Sequence, residues 1–160
     1  MNNNLLSFTV MALDTTDRAI IEALYEDARL SQRQLAQIVG VAQGTITNRI
    51  RKLEAAGAIQ GYTAILGAEA IGWGMTVMAG LCIEKGMIMD VQKHISNDYR
   101  VFSVYDVTGD WDSMVLARVK DREDLDDLTK SVFTLEGITR SYTHVVLNTV
   151  KDSGVVLPKE

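Results

Sequence analysis

The sequence predicts an α+β protein with a helical N-terminal domain and a C-terminal domain of βαββαβ order. Up to about residue 60 the apolar residues recur at helical spacing, whereas from residue 76 onward four segments are rich in β-branched and aromatic residues. The charge divides at the same place. Residues 14–63 hold six basic and six acidic side chains, and residues 64–160 hold ten and fifteen. The excess acidity therefore belongs to the C-terminal domain.

Length and composition fit a soluble protein with one or two small domains. The chain has 160 residues, of which 47% are apolar, and a single cysteine, Cys82, which excludes an intramolecular disulfide and which we expect to be a buried reduced thiol. The segment MNNNLLSFTVMA has no basic n-region or long apolar core, so we do not expect it to be a signal peptide. No apolar run approaches the ~18 residues of a membrane span. We expect a cytoplasmic protein with no membrane partner.

Three short helices are predicted in the N-terminal domain. Asp14 is a good N-cap for the first, which should run to about Ala28. Ser31 opens the second, because Gln34 follows it in the S-x-x-Q capping-box pattern, and Gly40 ends it. The side chains expected to face the core from these two helices are Ile20, Ile21, Leu24, Leu35, Ile38 and Val39.

The third helix begins after a very short turn and has two distinct faces. Its predicted inner face consists of Ala42, Ile46, Ile50 and Leu53. Its outward face is polar and consists of Gly44, Thr47, Asn48, Arg51 and Lys52. Gly57 is expected to end the helix, and AIQGYTAIL at 58–66 is expected to form a short strand.

The C-terminal domain is predicted to be a ferredoxin-like α/β sandwich. Its expected strands are 76–84, 100–108, 112–120 and 139–150, and its expected helices are 87–96 and 122–135. Apolar side chains occur on both faces of the strands, so we expect the face without helices to be buried against another subunit. The predicted boundaries are 1–60 for the helical domain, 61–74 for a connecting strand or linker, and 75–160 for the sandwich.

The two helices around residue 40 fit a helix-turn-helix that reads DNA. In this motif the second helix enters the major groove with short polar and basic side chains. Thr47 and Asn48 can bond base edges, Arg51 can contact a base or a phosphate, and Gln43 and Thr45 lie near the start of the helix. The alternative is an ordinary solvated helix face. The short turn and the R-x-R-K cluster favour the DNA-binding interpretation over it.

The turn TGDWD, Thr108 to Asp112, is a candidate ligand site. Free turn N–H groups can bind a carboxylate, Asp112 can bind an ammonium group, and Trp111 can exclude water, which together suit an α-amino acid. The alternative is that Gly109 and Asp110 only make a hairpin turn. No metal or other cofactor is expected, because His94, His144 and Cys82 lack metal-ligand spacing.

Three stretches of this chain resemble the Lrp/AsnC family of leucine-responsive and asparagine regulators. They are residues 13–66 around GVAQGTITNRIRKLEAAG, the segment VYDVTGDWDSMVLARV, and LEGITRSYTHVVLNTVK. The resemblance implies a winged-type helix-turn-helix followed by a domain for dimerisation and amino-acid sensing. It also implies DNA-binding roles for Ser31, Arg33, Gln43, Thr45, Thr47, Asn48 and Arg51, to which the local charge adds Arg49 and Lys52.

The same resemblance places an effector pocket at the TGDWD turn, where dimers meet. Its implied residues are Thr108, Gly109, Asp110, Trp111 and Asp112, with Ser141, Tyr142 and Thr143 as further candidates. Two positions depart from the family pattern: Ala42 stands where a serine usually caps the recognition helix, and Trp111 replaces a tyrosine or phenylalanine.

We therefore expect a non-enzymatic, sequence-specific regulator. Its expected partners are double-stranded DNA, an amino-acid-like effector bound between dimers, and further copies of itself, as a dimer or an octamer. Two alternatives stay open. One is an enzyme similar to siroheme decarboxylases, which resemble this family in both halves, and the other is an architectural protein that coats DNA without an effector.

Overall fold

The computed structural model of the protein describes residues 11–158. The first ten residues of MNNNLLSFTVMA lie outside this range, so the expectation for that segment stays a prediction. The chain forms two compact units: residues up to 64 together with those from 153, and residues 65–152. No helix among the described residues is long and apolar enough to cross a membrane.

The N-terminal unit contains the three predicted helices, α1 (Thr15–Glu26), α2 (Gln32–Val39) and α3 (Gln43–Ala55). Asp14 and Ser31 cap α1 and α2 with complete capping boxes, in which each side chain accepts from the backbone N–H three residues later. Gly40 adopts a left-handed conformation with φ of 77°, which ends α2 and allows α3 to begin after a very short turn. The capping predictions are thereby confirmed.

The core of this unit is smaller than the sequence pattern predicted. Its fully buried members are Ile20, Leu35, Ile46 and Leu53, and Ile50 is nearly so. Two expected core residues are on the surface. Ile38 is 60% exposed, because α2 has only eight residues and cannot place all of its apolar side chains against one small core. Ala42 is exposed as well, because it precedes α3 in an extended conformation.

The predicted strand at 58–66 is wrong for the single chain. All nine residues are described and none is in a strand. A strand requires a neighbour to bond its backbone. In this chain the segment has no such neighbour among the described residues. Ile59 packs against the helical core, but the later apolar side chains remain in solvent, with Ile65 99% exposed. A short 3-10 helix, Glu69–Ile71, follows it.

The C-terminal unit has the predicted βαββαβ order. Its strands are β1 (Met75–Ile83), β2 (Val101–Asp106), β3 (Ser113–Val119) and β4 (Ile138–Val145), and its helices are α4 (Ile88–Ile95) and α5 (Arg122–Ser131). The strands form one antiparallel sheet in the order β2-β3-β1-β4. This is the ferredoxin-like arrangement that the sequence predicted.

The helices cover one face of this sheet. Alternate residues of β1 and β3, such as Val77, Leu81 and Val115, are buried with Val91, Ile95 and Leu128 of the helices. We call the opposite face the open face; it carries Met78, Phe102, Tyr105 and Tyr142, which are all exposed in the single chain. Such a patch of apolar side chains supports the expectation that a second subunit covers it. Cys82 also lies on the open face and is half-buried, not buried as expected.

One buried arginine ties β2 to α5. Arg100 is 5% exposed, and its guanidinium bonds the carboxylates of Asp98 at 2.7 Å, Asp127 at 2.7 Å and Asp124 at 3.0 Å. Several charge-assisted bonds satisfy the buried charge, as its burial requires. The bonds from Arg100 also hold the pKa of Asp98 below its ordinary value.

Candidate DNA interface and effector site

The outward face of α3 is a row of exposed hydrogen-bonding and basic side chains. Gln43, Thr45, Asn48, Arg51 and Lys52 are all exposed, and Thr47 is half-buried. The row exists because Ile46, Ile50 and Leu53 turn the other side of the helix into the core. Gly44 adds an open position, since a Cβ placed there would meet nothing within 4 Å. DNA could therefore approach the start of α3 closely.

Arg49 is placed differently from the other predicted DNA-binding residues. Its guanidinium bonds the carboxylate of Asp14 and, at 3.1 Å, that of Asp17, which is 1% exposed. The bonds from the Asp17 backbone N–H and from Arg49 lower the pKa of Asp14, and the two carboxylates raise the pKa of Arg49. Arg49 thus joins α3 to the start of α1, and this geometry does not support the predicted contact with DNA.

The predicted backbone-contacting residues Ser31 and Arg33 lie at the exposed start of α2. The Ser31 hydroxyl is already engaged, because it donates to Gln34 Oε1 at 2.7 Å and accepts from the Gln34 backbone N–H. Sequence reasoning missed a neighbour. Gln32 Oε1 accepts from the Thr47 hydroxyl at 2.6 Å, so a side chain of α2 takes part in the polar face of α3.

The positive charge of this surface is carried by few side chains. Arg33, Arg51 and Lys52 are exposed and have no salt-bridge partner among residues 11–158, whereas Arg29 pairs with Asp27 at 3.3 Å. Three basic groups are few for a site that must hold phosphates at physiological salt. A single copy therefore provides only part of a strong DNA interface.

The TGDWD turn connects β2 to β3 and is fixed to β1 by its last residue. The Asp112 backbone N–H donates to Leu81 O at 2.9 Å, and its carboxylate accepts from the Ile83 N–H at 2.8 Å. Gly109 has a φ of 117°, which a residue with a side chain would resist. Within residues 11–158, no group accepts from the N–H groups of residues 108–111. The turn thus offers the free donors that a carboxylate would need.

Trp111 leaves the turn and lies on the open face of the sheet. Its ring covers Gly80 so closely that a Cβ at Gly80 would be 2.5 Å from Trp111 Cδ2. The Arg140 guanidinium lies over the same ring at 4.5 Å, and the Tyr142 ring is 6.3 Å away. Only a glycine at position 80 permits this arrangement.

The predicted effector residues do not all converge on one place. Tyr142 pairs with Gly80 and faces the same side as Trp111, whereas the alternation of β4 turns Ser141 and Thr143 to the opposite side of the sheet. A cleft of about 1230 Å³ does open on this unit, between residues 65–70 and 146–152, but the TGDWD turn does not line it. Among the described residues no cluster of histidines, cysteines or carboxylates could hold a metal ion.

Two family models match the two parts of the chain. Residues 13–60 match a model described as winged helix-turn-helix DNA-binding, and residues 76–156 match the Lrp/AsnC ligand binding domain. The first match includes α1, α2 and α3, and the second includes the sheet from Thr76 onward and the TGDWD turn. The matched models thus agree with the division into helical and sandwich parts.

Similar proteins are transcriptional regulators by name. An uncharacterized HTH-type transcriptional regulator of Pyrococcus horikoshii is 43% identical over 89% of this chain and 96% of that protein. The HTH-type transcriptional regulator FL11 of Pyrococcus abyssi is 32% identical over 89% of this chain and 95% of its own length.

Two solved structures show the same fold. Escherichia coli AsnC has a TM-score of 0.85 at 22% identity and covers 91% of this chain and 99% of its own. A transcriptional regulator from Neisseria meningitidis in complex with L-Met has a TM-score of 0.85 at 23% identity and covers 91% of this chain and 97% of its own.

Proposed function

The chain belongs to the Lrp/AsnC family of transcriptional regulators, and from this premise we propose that it binds specific double-stranded DNA sites and changes that binding when an amino acid occupies its C-terminal unit. One observation carries the proposal. The exposed polar face of α3 lies beside a capped α2, and a sensing-domain sandwich follows on the same chain. We place the protein in the cytoplasm because its target is DNA.

The DNA-reading role falls to the exposed residues of α3. Gln43, Thr45 and Asn48 have side chains that bond base edges, and Arg51 and Lys52 can bond guanine or phosphate. Arg33, at the start of α2, can reach the backbone of the same groove. We assign Arg49 a supporting role instead, since its guanidinium holds α3 against Asp14 and Asp17.

The amino-acid site is proposed at the TGDWD turn. The free N–H groups of residues 108–111 suit an α-carboxylate, and the second carboxylate oxygen of Asp112 suits an ammonium group. The L-Met complex of the Neisseria meningitidis regulator supports this class of effector. Residues 108–110 of the turn are exposed, and the cleft on this unit does not include the turn, so we propose that a second dimer closes it, as in the dimer and octamer assemblies expected of the family.

Such an arrangement gives an indirect mechanism. An effector held between dimers binds one packing of those dimers better than another, and it shifts the equilibrium toward that packing. The packing sets the spacing of successive recognition helices, which must match major grooves about one helical turn apart. The amino acid thereby changes DNA affinity without touching DNA.

The enzyme alternative has little support from the arginines. A siroheme decarboxylase would need basic groups for the propionates of a tetrapyrrole, but Arg100 is occupied by three aspartates, and Arg118 and Arg140 lie over Phe102 and Trp111. We therefore propose that the protein has no catalytic activity. An absorbance titration with siroheme tests this. A Soret shift at micromolar protein would show that the tetrapyrrole binds and would support the siroheme-decarboxylase alternative.

The DNA proposal is tested by selecting bound fragments from the parent genome and sequencing them. We expect the wild-type protein to enrich a small set of related sites, and Arg51→Ala to lose most of that enrichment. Arg29→Ala is the matched control, because Arg29 is an exposed arginine of the same unit that lies off α3 and should not alter the selection. Equal recovery of all fragments by the wild type would refute sequence-specific binding.

The effector proposal is tested with a panel of amino acids and the emission of Trp73 and Trp111, both in the C-terminal unit. We expect one amino acid to raise the thermal midpoint of this unit, as binding to the native state must. Asp112→Asn keeps an acceptor for the Ile83 N–H but loses the charge, so it should abolish the shift. Glu136→Gln, an exposed carboxylate elsewhere, is the control. A shift that survives in Asp112→Asn would exclude the ammonium contact.

A further inference from the structure

The bond between Thr47 and Gln32 links the two helices of the helix-turn-helix through their exposed side chains. Thr47 lies on α3 among the residues proposed to read bases, and Gln32 is the first residue of α2. The Thr47 hydroxyl donates to Gln32 Oε1 at 2.6 Å, and a second acceptor, Gln43 O, lies farther away at 3.1 Å. A hydroxyl has one hydrogen, so the shorter bond takes it.

This bond decides what each side chain can offer to DNA. With its hydrogen committed, Thr47 can present a methyl group and an oxygen lone pair, but no donor. With its oxygen occupied, the Gln32 amide presents Nε2 and its two hydrogens. Gln32 is exposed, and the Ser31 groups beside it are both engaged with Gln34. The pair therefore has one fixed pattern of donors and acceptors.

We propose that Gln32 is a specificity-determining residue. It holds the Thr47 hydroxyl hydrogen, so that Thr47 presents only a methyl group and an acceptor oxygen to one base pair. Its own Nε2 hydrogens are directed to a DNA phosphate oxygen. The inference depends on the proposed DNA-reading role of α3. A methyl group matches the C5-methyl of thymine, and a lone pair matches the amino hydrogens of adenine or cytosine. Gln32 is a positioning residue for Thr47 and, through Nε2, a contact of the backbone.

Two variants of Gln32 separate these roles. Gln32→Met keeps the length of the side chain but cannot accept from Thr47, so Gln32 no longer fixes the hydroxyl hydrogen, which can turn to a base in place of the more distant Gln43 O. Gln32→Glu keeps an acceptor for Thr47 but has no donor, and its charge repels phosphate. Thr47→Val keeps the shape of Thr47 and removes the hydroxyl. Since both positions are exposed or half-buried, all three variants should fold, and their thermal midpoints are measured first.

The experiment selects binding sites from a randomised double-stranded DNA pool with the wild type and each variant. We expect Gln32→Met and Thr47→Val to change base preference at the same base pair, and the double variant to match Thr47→Val, because without the hydroxyl Gln32 has nothing to hold. A lost base contact changes discrimination at that position by about tenfold or more. Gln32→Glu should keep the wild-type preference while its affinity falls by about tenfold at low salt.

The possible failures can be told apart. If the wild-type protein enriches no sequence, the proposed function fails and this inference fails with it. If the wild type enriches a clear site and Gln32→Met selects the same site with the same base preferences, the inference alone is overturned. Changes at different base pairs in Gln32→Met and Thr47→Val would likewise contradict a shared role.

Discussion

At the scale of single residues, Arg49 and Arg51 have the same chemistry but different surroundings. Both belong to α3, yet Arg49 is half-buried against two aspartates while Arg51 is exposed and has no salt-bridge partner among the described residues. The sequence alone could not separate them. Asp14 and Asp17 are more than thirty positions away, and only the packing of α1 against α3 brings their carboxylates to Arg49.

The two arginines should therefore respond differently to truncation. Arg49→Ala leaves the buried carboxylate of Asp17 without its ion-pair partner, so we expect the unfolding free energy of the N-terminal unit to fall. Arg51→Ala should leave stability within about 0.5 kcal/mol of wild type but reduce the salt slope of DNA binding by about one. Urea unfolding followed by circular dichroism and DNA titrations at several salt concentrations measure both. If Arg49→Ala reduced the salt slope of DNA binding and kept normal stability, Arg49 would have to be a DNA contact.

Ala42 is a position where the sequence departs from a local rule without a visible compensation. It is the N-cap of α3, and its methyl group cannot accept from the first N–H groups of the helix. We expect Ala42→Ser to raise the unfolding free energy of the N-terminal unit by about 0.5–1 kcal/mol. Ser31→Ala, which breaks an existing capping box, should lower it by a similar amount. Hydrogen exchange of the α3 amides measures both, and no change in Ala42→Ser would show that another group already serves as the cap.

At the scale of elements, the sequence predicted those that are stabilised from within the chain. All three N-terminal helices and the βαββαβ order were predicted because capping pairs, terminal glycines and apolar periods are local signals. The strand at 58–66 failed because its pattern indicates β-structure but its bonding partner is missing from the single chain. The end of β4 was placed five residues too late for the same reason, since after the bond from the Val146 N–H to Thr76 O no further residue of this segment pairs with β1 among the described residues.

The candidate sites were predictable only in part. The polar face of α3 could be predicted from the helical spacing of its apolar residues, and the structure shows it. The role of Gln32 and the engagement of Asp112 with β1 depend on contacts between distant residues, which one sequence does not reveal. The placement of Ser141 and Thr143 on the far side of the sheet was open to derivation, because strand alternation separates them from Tyr142.

The open face of the sheet depends on a glycine. A Cβ at Gly80 would overlap the Trp111 ring, so Gly80→Ala should displace the ring, shift its emission to the red and lower the stability of the C-terminal unit by about 1–3 kcal/mol. Gly67→Ala is the matched control, since its Cβ would meet only Ala70 Cβ at 3.6 Å. Fluorescence-detected urea unfolding measures both variants. Unchanged emission in Gly80→Ala would mean that Trp111 does not lie on the sheet in solution.

The attachment of α5 to β2 should depend on pH. The pKa of Asp98 is lowered in the folded state by Arg100, so the stabilisation is present above the ordinary value of 3.8 and is lost as pH falls through the lower folded value. We expect Arg100→Met to cost about 3 kcal/mol at pH 7, because it leaves carboxylates unpaired. The cost should shrink below about pH 4 as the carboxylate of Asp98 becomes protonated.

The control for this variant is an exposed ion pair on the same helix. Lys130 and Asp126 of α5 form a bond at 2.6 Å, but both side chains are mostly exposed, so Lys130→Ala should cost no more than about 0.5 kcal/mol at either pH. Urea unfolding at pH 7 and pH 3, followed by tryptophan emission, compares the two variants. If Arg100→Met lowered the unfolding free energy equally at both pH values, the ion pairs of Arg100 would not be the source of its stabilising effect.

At the scale of the whole molecule, the sequence and the structure both point to function through several copies. Among the described residues, the N-terminal unit has few exposed basic groups without a salt-bridge partner, the open face leaves large apolar side chains in solvent, and the TGDWD turn has free donors at its exposed residues 108–110. Joining several recognition helices on one DNA segment raises their effective concentration, which makes weak individual contacts sufficient. We therefore propose that assembly connects the DNA interface to the amino-acid site.

The most direct test of this account is the affinity of the purified protein for its best selected DNA fragment and for a shuffled fragment of the same composition. Both are measured at one fixed salt concentration, without and with each amino acid. We predict a preference for the selected fragment of about a thousandfold or more, and a change of about fivefold or more when one particular amino acid is added. Equal affinity for both fragments under every condition would contradict the account.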